Sequence, residues 1–324
     1  MPRPPLPGGS GWRRRLSGPG WSAPDMASPY VPPHRPVDPD LIQALATALA
    51  AAAPRLLVLT GAGLSTESGI PDYRSAHVGL YARSGRQPIQ HRDFVQQAAT
   101  RRRYWARNFV GWPQWAATLP NAAHRRLREW EAHGRLAGGI VTQNVDQLHF
   151  KAGSCRVIEM HGTNSTVACL NCCFRAPRWA WQAQLHQLNP DFPAITDIKV
   201  RPDGDVEIPP AAVENFNVPM CPRCKVGCVK PSVIFFGDNV PGRVLTQIEG
   251  RIRDCQTLFV IGSSLHVYSG YRMILQAQAA GKKVLICNIG PTRADHLTHL
   301  KVEGRASEVL AAVDAYWSTH RMFS

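Results

Sequence analysis

The sequence predicts an α/β fold, a doubly wound parallel sheet with a smaller module inserted into it. Three observations carry that prediction. Short apolar runs recur at 56–59, 139–142, 157–160, 232–236, 257–261 and 284–287, each bounded by glycine or polar sequence, as buried parallel strands are. Helical stretches alternate with most of these runs, and such alternation implies strands joined by crossovers. From Thr163 to Lys230 the pattern breaks into cysteines, prolines and irregular polar sequence, so a second unit of about 163–230 interrupts the first.

The 324 residues have room for roughly two domains, or for one large domain with an insertion. With 44% apolar and 19% charged residues the composition is globular. The longest apolar run, 41–53, includes Gln43 and Thr47 and stops at Pro54, short of the about 20 residues of a membrane span, so no membrane association is expected. Residues 1–36 are rich in Pro, Gly and Ser and carry Arg3, Arg13, Arg14, Arg15 and Arg35 against the single acid Asp25. This head is expected to be disordered, and its Arg-rich, acid-poor character suits a mitochondrial transit peptide. The net charge of +14 raises nucleic-acid binding, but beyond the head the basic clusters are only Arg101–Arg103 with Arg107, and Arg125, Arg126 and Arg128. Solvated helix faces account for those clusters, and no direct nucleic-acid partner is expected. Nine cysteines without a secretory apolar segment indicate a reducing compartment.

The main domain spans 37–318, with 319–324 as a tail. Asp38-Pro39-Asp40 opens its first helix with an N-cap, a proline at the first helical position and an acid in the first turn. Leu41, Ala44, Leu45, Ala48 and Leu49 are expected on the inner face, and Pro54 ends the helix. The strand at 56–59 runs into Gly61-Ala62-Gly63. About 75–120 reads as an insertion of loops and short helices over a ligand, with 79–83 folding back as a flexible lid. Asn121 caps the next helix, which turns Leu127 and Trp130 inward and closes at Gly134. The next strands deliver Gln143-Asn144-Val145-Asp146 and His161-Gly162 at their carboxyl ends, where an open α/β sheet binds ligands. The sheet is expected to resume at 232–236 and to continue through 257–261 into Gly262-Ser263-Ser264. A helix at about 271–280 then leads to 284–287 and Asn288-Ile289-Gly290.

Gly61 and Gly63 read as a phosphate cradle, because a Cβ at either would block the approach of a pyrophosphate to the backbone. Their spacing departs from the common dinucleotide fingerprint, since the next glycine is Gly69 and Glu67 sits inside the loop. Cys169-x-x-Cys172 and Cys221-x-x-Cys224 are two knuckles of equal spacing, the usual ligand set of one structural Zn²⁺ whose four thiolates leave no position for water. Cys173 and Cys228 are spares. His161 is the candidate general base among twelve histidines, because it ends a strand beside the 143–146 segment.

The string Gly-Ala-Gly-x-Ser-x-Glu-Ser-Gly-Ile-Pro-Asp-Tyr-Arg at 61–74 resembles the NAD-binding loop of the sirtuins, NAD-dependent protein deacylases. Thr142–Asp146, His161-Gly162, the four cysteines, Val233–Asp238, Gly262–Leu265 and Asn288–Gly290 are similar to further sirtuin blocks, in the family's order, from about Asp38 to Ala312. Asp72-Tyr73-Arg74, Tyr104–Trp112 and Val267-Tyr268-Ser269-Gly270 resemble the class II mitochondrial branch, the sirtuin-four type. That resemblance implies a Rossmann-like NAD domain with a zinc module, and residence in the mitochondrial matrix. It also implies a reaction in which the acyl-lysine oxygen attacks the nicotinamide ribose, releasing nicotinamide and forming O-acyl-ADP-ribose. By the same resemblance His161 takes a proton from a ribose hydroxyl, Asn144 and Asp146 hold nicotinamide, and Gln143 holds the ribose. Gly61, Ala62, Gly63, Thr66, Asp72, Tyr73, Arg74, Tyr81 and Val145 line the dinucleotide, with Gly262, Ser263, Ser264, Asn288, Ile289, Gly290 and Ala306 on its adenosine side. The chain departs from the family at Ala306, where a cysteine is common. Val233, Phe235, Phe236 and Gly237 pair with the acylated peptide as an added strand. Tyr104 and Arg107, three residues apart on one helix face, hold an acidic acyl tail, with lipoyl-type chains as the alternative. The partners implied are acylated lysines of mitochondrial proteins. Two other readings use the same residues or fewer: an NAD-dependent protein ADP-ribosyltransferase, and a zinc-stapled binding module without catalysis.

Overall fold

The computed structural model describes residues 28–83, 88–193, 195, 202 and 204–323; the basic head at 1–27 and Ser324 lie outside the described residues. The elements in order are α1 (Pro39–Ala52), β1 (Leu56–Thr60), α2 (Leu80–Arg83), α3 (His91–Gln96), α4 (Ala98–Ala117), α5 (Ala122–Ala132), β2 (Gly139–Thr142), α6 (Leu148–Lys151) and β3 (Val157–Glu159). There follow β4 (Gly162–Cys169), β5 (Arg175–Pro177), α7 (Arg178–Leu188), α8 (Pro210–Glu214), β6 (Val229–Val233), α9 (Gly242–Asp254), β7 (Thr257–Ile261), α10 (Tyr268–Ala279), β8 (Lys283–Cys287), β9 (Leu300–Val302) and α11 (Ala306–Thr319). No helix among the described residues is long and apolar enough to cross a membrane.

Six strands form one parallel sheet in the order β3-β2-β1-β7-β8-β9. The chain winds outward from β1 in both directions, so the topological switch point lies between β1 and β7, where a crevice opens at the carboxyl ends of the strands. β1 and β7 are wholly buried because helices cover both faces: α1, α5 and α11 on one side, α9 and α10 on the other. Asp38 caps α1 by accepting from the Asp40 amide at 2.9 Å. The inner face of α1 is Ile42, Leu45, Ala46, Leu49 and Ala52, with Leu41 and Ala44 exposed, a rotation from the expected face. Apolar residues surround this Ala- and Leu-rich helix, so its pattern alone does not select a face. Asn121 caps α5, and Leu127 and Trp130 are buried against α11.

The structure departs from the sequence pattern at two places. The 75–120 insertion is dominated by one helix of 20 residues, α4, not by short pieces. Its buried side is Tyr104, Trp105, Asn108, Gly111 and Trp115, a helical repeat obscured in the sequence by the Arg cluster and by Pro113. The apolar run at 232–236 does not rejoin the parallel sheet. β6 pairs antiparallel with β4 in a separate sheet of order β5-β4-β6, which carries the cysteine module. Val233 and Phe235 are buried against that module and α4, so the run looks apolar for a different reason. The short edge strand β9 and the amphipathic α9 complete the alternation without a strong sequence signal. Beyond α11, Phe323 packs edge-on against Trp317 with ring centroids 4.9 Å apart.

The module is joined to α4 by a fully buried cation. Arg178, the first residue of α7, donates to the Asn108 side-chain oxygen at 3.1 and 2.7 Å and lies over the rings of Trp105 and Trp112.

Candidate active site

The turn after β1 and the turn after β7 meet at the switch point. Gly61 N–H donates to Ile261 O at 3.1 Å and Gly63 N–H to Gly262 O at 2.9 Å. A Cβ at Gly61 would lie 2.7 Å from Gly262 O and Ser263 Cβ, and one at Gly63 2.9 Å from Gly262 Cα and O. These glycines are therefore required by backbone packing between the two loops, before any ligand is considered. The helix that follows is a 3₁₀ turn, Ala62–Ser68, closed by Gly69 at φ 85°. Glu67, the acid that breaks the common fingerprint, reaches α11, where its carboxylate accepts from the Ser307 amide at 3.2 Å and from the Ser307 hydroxyl. It lines the cavity over these loops, and its carboxylate is engaged in capping a helix start.

One cavity of 1370 Å³ lies over these loops. It is lined by Gly61, Ala62, Gly63, Thr66, Asp72, Tyr73, Arg74, Gln143, Asn144, Val145, Asp146, Gly262, Ser263, Ser264, Asn288, Ile289, Gly290 and Ala306, together with His161, Tyr104, Val233, Phe235, Phe236 and Gly237. Two expected site residues lie outside its lining. The Tyr81 ring packs on Tyr73 at 5.8 Å, and α2, the segment expected as a lid, is tied down by backbone bonds from Leu80 N to Asp72 O and from Tyr81 N to Tyr73 O. Arg107 is buried against the loop that follows α7. Its Nε donates to Val206 O at 2.5 Å and its guanidinium pairs with the Asp205 carboxylate at 2.9 Å, so its charge is balanced inside the protein. Tyr104 does face the cavity, in an aromatic cluster with Phe94 and Phe235 at 5.3–5.5 Å between ring centroids.

His161 presents a defined tautomer. Its Nδ1 lies 2.9 Å from the Gln143 carbonyl, which can only accept, so Nδ1 carries the proton and Nε2 keeps its lone pair. Burial pushes its pKa below the ordinary 6.5, opposed by the bond to Gln143. Asn144 Nδ2 donates to Gly61 O at 2.9 Å and to Ser65 Oγ at 3.1 Å, and Ser65 Oγ donates to Asp146 at 2.6 Å. Burial raises the Asp146 pKa, while the Ser65 and Leu148 bonds hold it down. Ser65 thus ties the glycine loop to the 143–146 segment. Its place in the 61–74 string carries no signal for this bridge. His149, an alternative base by position, lies outside the cavity lining, buried on Thr60 Oγ1 at 2.9 Å and pushed down to about 3 by burial.

Part of the expected peptide edge is taken by the chain itself. Phe236 O accepts from His91 N at 2.8 Å, and Gln90 forms a parallel bridge to Phe236. The segment expected to be disordered also contributes, since Val31–Arg35 line the cavity and Ser28 Oγ donates to Thr66 O at 2.6 Å. Pro202 lines the cavity from the module side. Periodicity carries no signal for contacts of these kinds.

The four cysteines Cys169, Cys172, Cys221 and Cys224 bring their sulfurs within 4.8 Å of one another. The separations of 3.8 Å for Cys169 to Cys224 and 3.6 Å for Cys172 to Cys221 are close to the roughly 3.8 Å edge that Zn–S bonds of about 2.3 Å give a tetrahedron. The donor set and its spacing fit one structural Zn²⁺. Cys173 is exposed beside Arg223 and, like Cys228, lies outside the cluster.

The sequence profile of the Sir2 family matches residues 61–269, which holds the glycine loop, His161 and all four cysteines. The chain belongs to the Sir2 family. It is 52% identical to a Drosophila melanogaster protein named NAD-dependent protein deacylase Sirt4, over 87% of this chain and 89% of that one. It is 49% identical to the Homo sapiens NAD-dependent protein lipoamidase sirtuin-4, mitochondrial, over 88% and 90%. Among solved structures, a Sir2 enzyme superposes with a TM-score of 0.69 at 29% identity, covering 88% of this chain and all of the other. A Sir2 variant solved with a deacetylated p53 peptide and 3'-O-acetyl ADP ribose gives 0.66 at 26% identity, covering 85% and 97%. The Sir2 fold therefore accounts for both sheets and for the crevice between them.

Proposed function

We propose that this chain is an NAD-dependent protein-lysine deacylase of the mitochondrial matrix, releasing nicotinamide and O-acyl-ADP-ribose and favouring acidic or lipoyl-type acyl groups over acetyl. The deacylase activity follows from membership in the Sir2 family and from relatives named as NAD-dependent deacylases and lipoamidases. The observation that carries the mechanism is that the bond from Nδ1 to the Gln143 carbonyl leaves His161 Nε2 unprotonated, in the cavity shared with the glycine loop.

When bound, NAD supplies the electrophilic ribose carbon that receives the acyl oxygen. Gly61–Gly63, Thr66 and Asp72–Arg74 hold its phosphates and flanking sugar. Asn144 and Asp146 hold the nicotinamide, Gln143 the ribose, and the 262–264 and 288–290 turns with Ala306 the adenosine side. His161 takes the proton of a ribose hydroxyl on Nε2. The acylated peptide runs along Val233 and Phe235–Gly237. Because Asp205 already balances Arg107, and because aromatic rings line the acyl end, the geometry favours the long lipoyl-type chain over a dicarboxylic one. The matrix location is supported by the mitochondrial names of the relatives and by the Arg-rich head.

The test is mass spectrometry of reactions with NAD and lipoyl-, glutaryl- and acetyl-lysine peptides. Nicotinamide and O-acyl-ADP-ribose should form in equal amounts, with kcat/KM highest for lipoyl. Acetyl as the best substrate, or ADP-ribosylated protein without O-acyl-ADP-ribose, would overturn the reading.

A further inference from the structure

The Val267–Gly270 stretch is part of the similarity to class II sirtuins. It opens α10 and comes against the base. Ser269 Oγ lies 2.8 Å from His161 Nε2, and both residues line the cavity. Since the Gln143 carbonyl keeps the imidazole proton on Nδ1, the hydroxyl must donate to Nε2. Gly270 serves the other end of the same unit. A Cβ there would fall 2.8 Å from Gln143 Oε1 and 3.0 Å from its Cδ, crowding the residue whose carbonyl orients the base. Gln143 is also held by its own side chain, Nε2 donating to Ser263 Oγ at 2.8 Å. One dipeptide therefore touches the Gln143–His161 pair twice, once through a hydroxyl and once through a missing side chain.

We propose that Ser269 is a positioning residue for the general base: its hydroxyl holds His161 Nε2 toward the cavity until a substrate hydroxyl takes that place. The inference rests on His161 being the base, as argued above. In the step, the substrate oxygen keeps the electron pair of its O–H bond, the proton goes to Nε2, and the other ring proton stays on Nδ1, still donated to the Gln143 carbonyl. The imidazolium then carries an N–H at Nε2, and a hydroxyl can turn from donor to acceptor and satisfy it. Serine fits both states of the base. Alanine fits neither.

The experiment compares wild type, S269A, S269T and H161A with NAD and a lipoyl-lysine peptide, following O-acyl-ADP-ribose across pH, with circular dichroism to check folding. S269A should lower kcat roughly tenfold, the loss expected of one hydrogen bond acting in the transition state. Its acid limb in kcat/KM should move to lower pH, because the hydroxyl stabilises the imidazolium more than the neutral ring. S269T, which keeps the hydroxyl, should recover most of both. The inference is overturned if S269A matches wild type in kcat and acid limb, or if S269T is no better than S269A while folded. Turnover surviving in H161A would instead overturn the assignment of the base; an inactive H161A beside a normal S269A would remove the role of Ser269 alone.

Discussion

The base proposed at His161 suits neutral pH, because burial makes its charged form costly while the bond to the Gln143 carbonyl keeps the ring from turning. With its pKa below 6.5, the acid limb of kcat/KM should fall below that pH, and replacing His161 by alanine should cost about 10²- to 10⁴-fold in turnover while NAD still binds. Calorimetric titration with NAD separates those two effects. Glu159 has the opposite electrostatics. Burial pushes its carboxyl up to about 7, against hydrogen bonds from Thr163 and Gln147. Its folded pKa exceeds the ordinary 4.5, so the stability it contributes is present below 4.5 and is lost as pH rises through about 7. Glu159→Gln should flatten the pH dependence of Tm across that window, and an unchanged slope would show that other groups set it. Arg107 forms a largely buried ion pair with Asp205, and removing it leaves that carboxylate without this cation. Arg107→Met should lower Tm and leave the preference for lipoyl over acetyl in place, measured as a ratio of kcat/KM values.

At the level of elements, the three-stranded sheet with its cysteine cluster and α4 form one wall of the cavity, and two devices fasten that wall. The four thiolates close a loop from β4 to β6, and Arg178 joins α7 to α4 through Asn108 and two indoles. Chelation of the metal should unfold the small sheet and abolish turnover together, because a closed thiolate site contributes its binding energy to folding. Elemental analysis giving well under one zinc per active chain would contradict this. Arg178→Ala should cost on the order of 3 kcal/mol in denaturant unfolding, since it removes bonds to a charged donor and opens a cavity between two helices.

Over the whole molecule, the crevice is the meeting of two loops at the switch point, closed on one side by the second sheet and on another by the segment before α1. Deleting residues 1–36 should weaken the thermal stabilisation by NAD, because Val31–Arg35 would no longer line the cavity, whereas deleting 1–27 should leave it intact; differential scanning fluorimetry reads both. The parallel strands, the capped α1 and α5, the zinc knuckles and the residues at the strand ends are legible in the amino-acid order alone, because each is written locally in period, spacing or turn chemistry. Three-dimensional packing was needed to place the 232–236 run in another sheet, to turn Ile42 and Ala46 of α1 inward, and to set Arg107 against Asp205. It alone placed Ser65 between Asn144 and Asp146 and set Ser269 against His161, 108 residues away. An apolar run reports burial but not the partner that buries it, and a hydroxyl or guanidinium reports capacity but not direction. Partner and direction are set by packing between segments distant in the chain, to which a local pattern is blind.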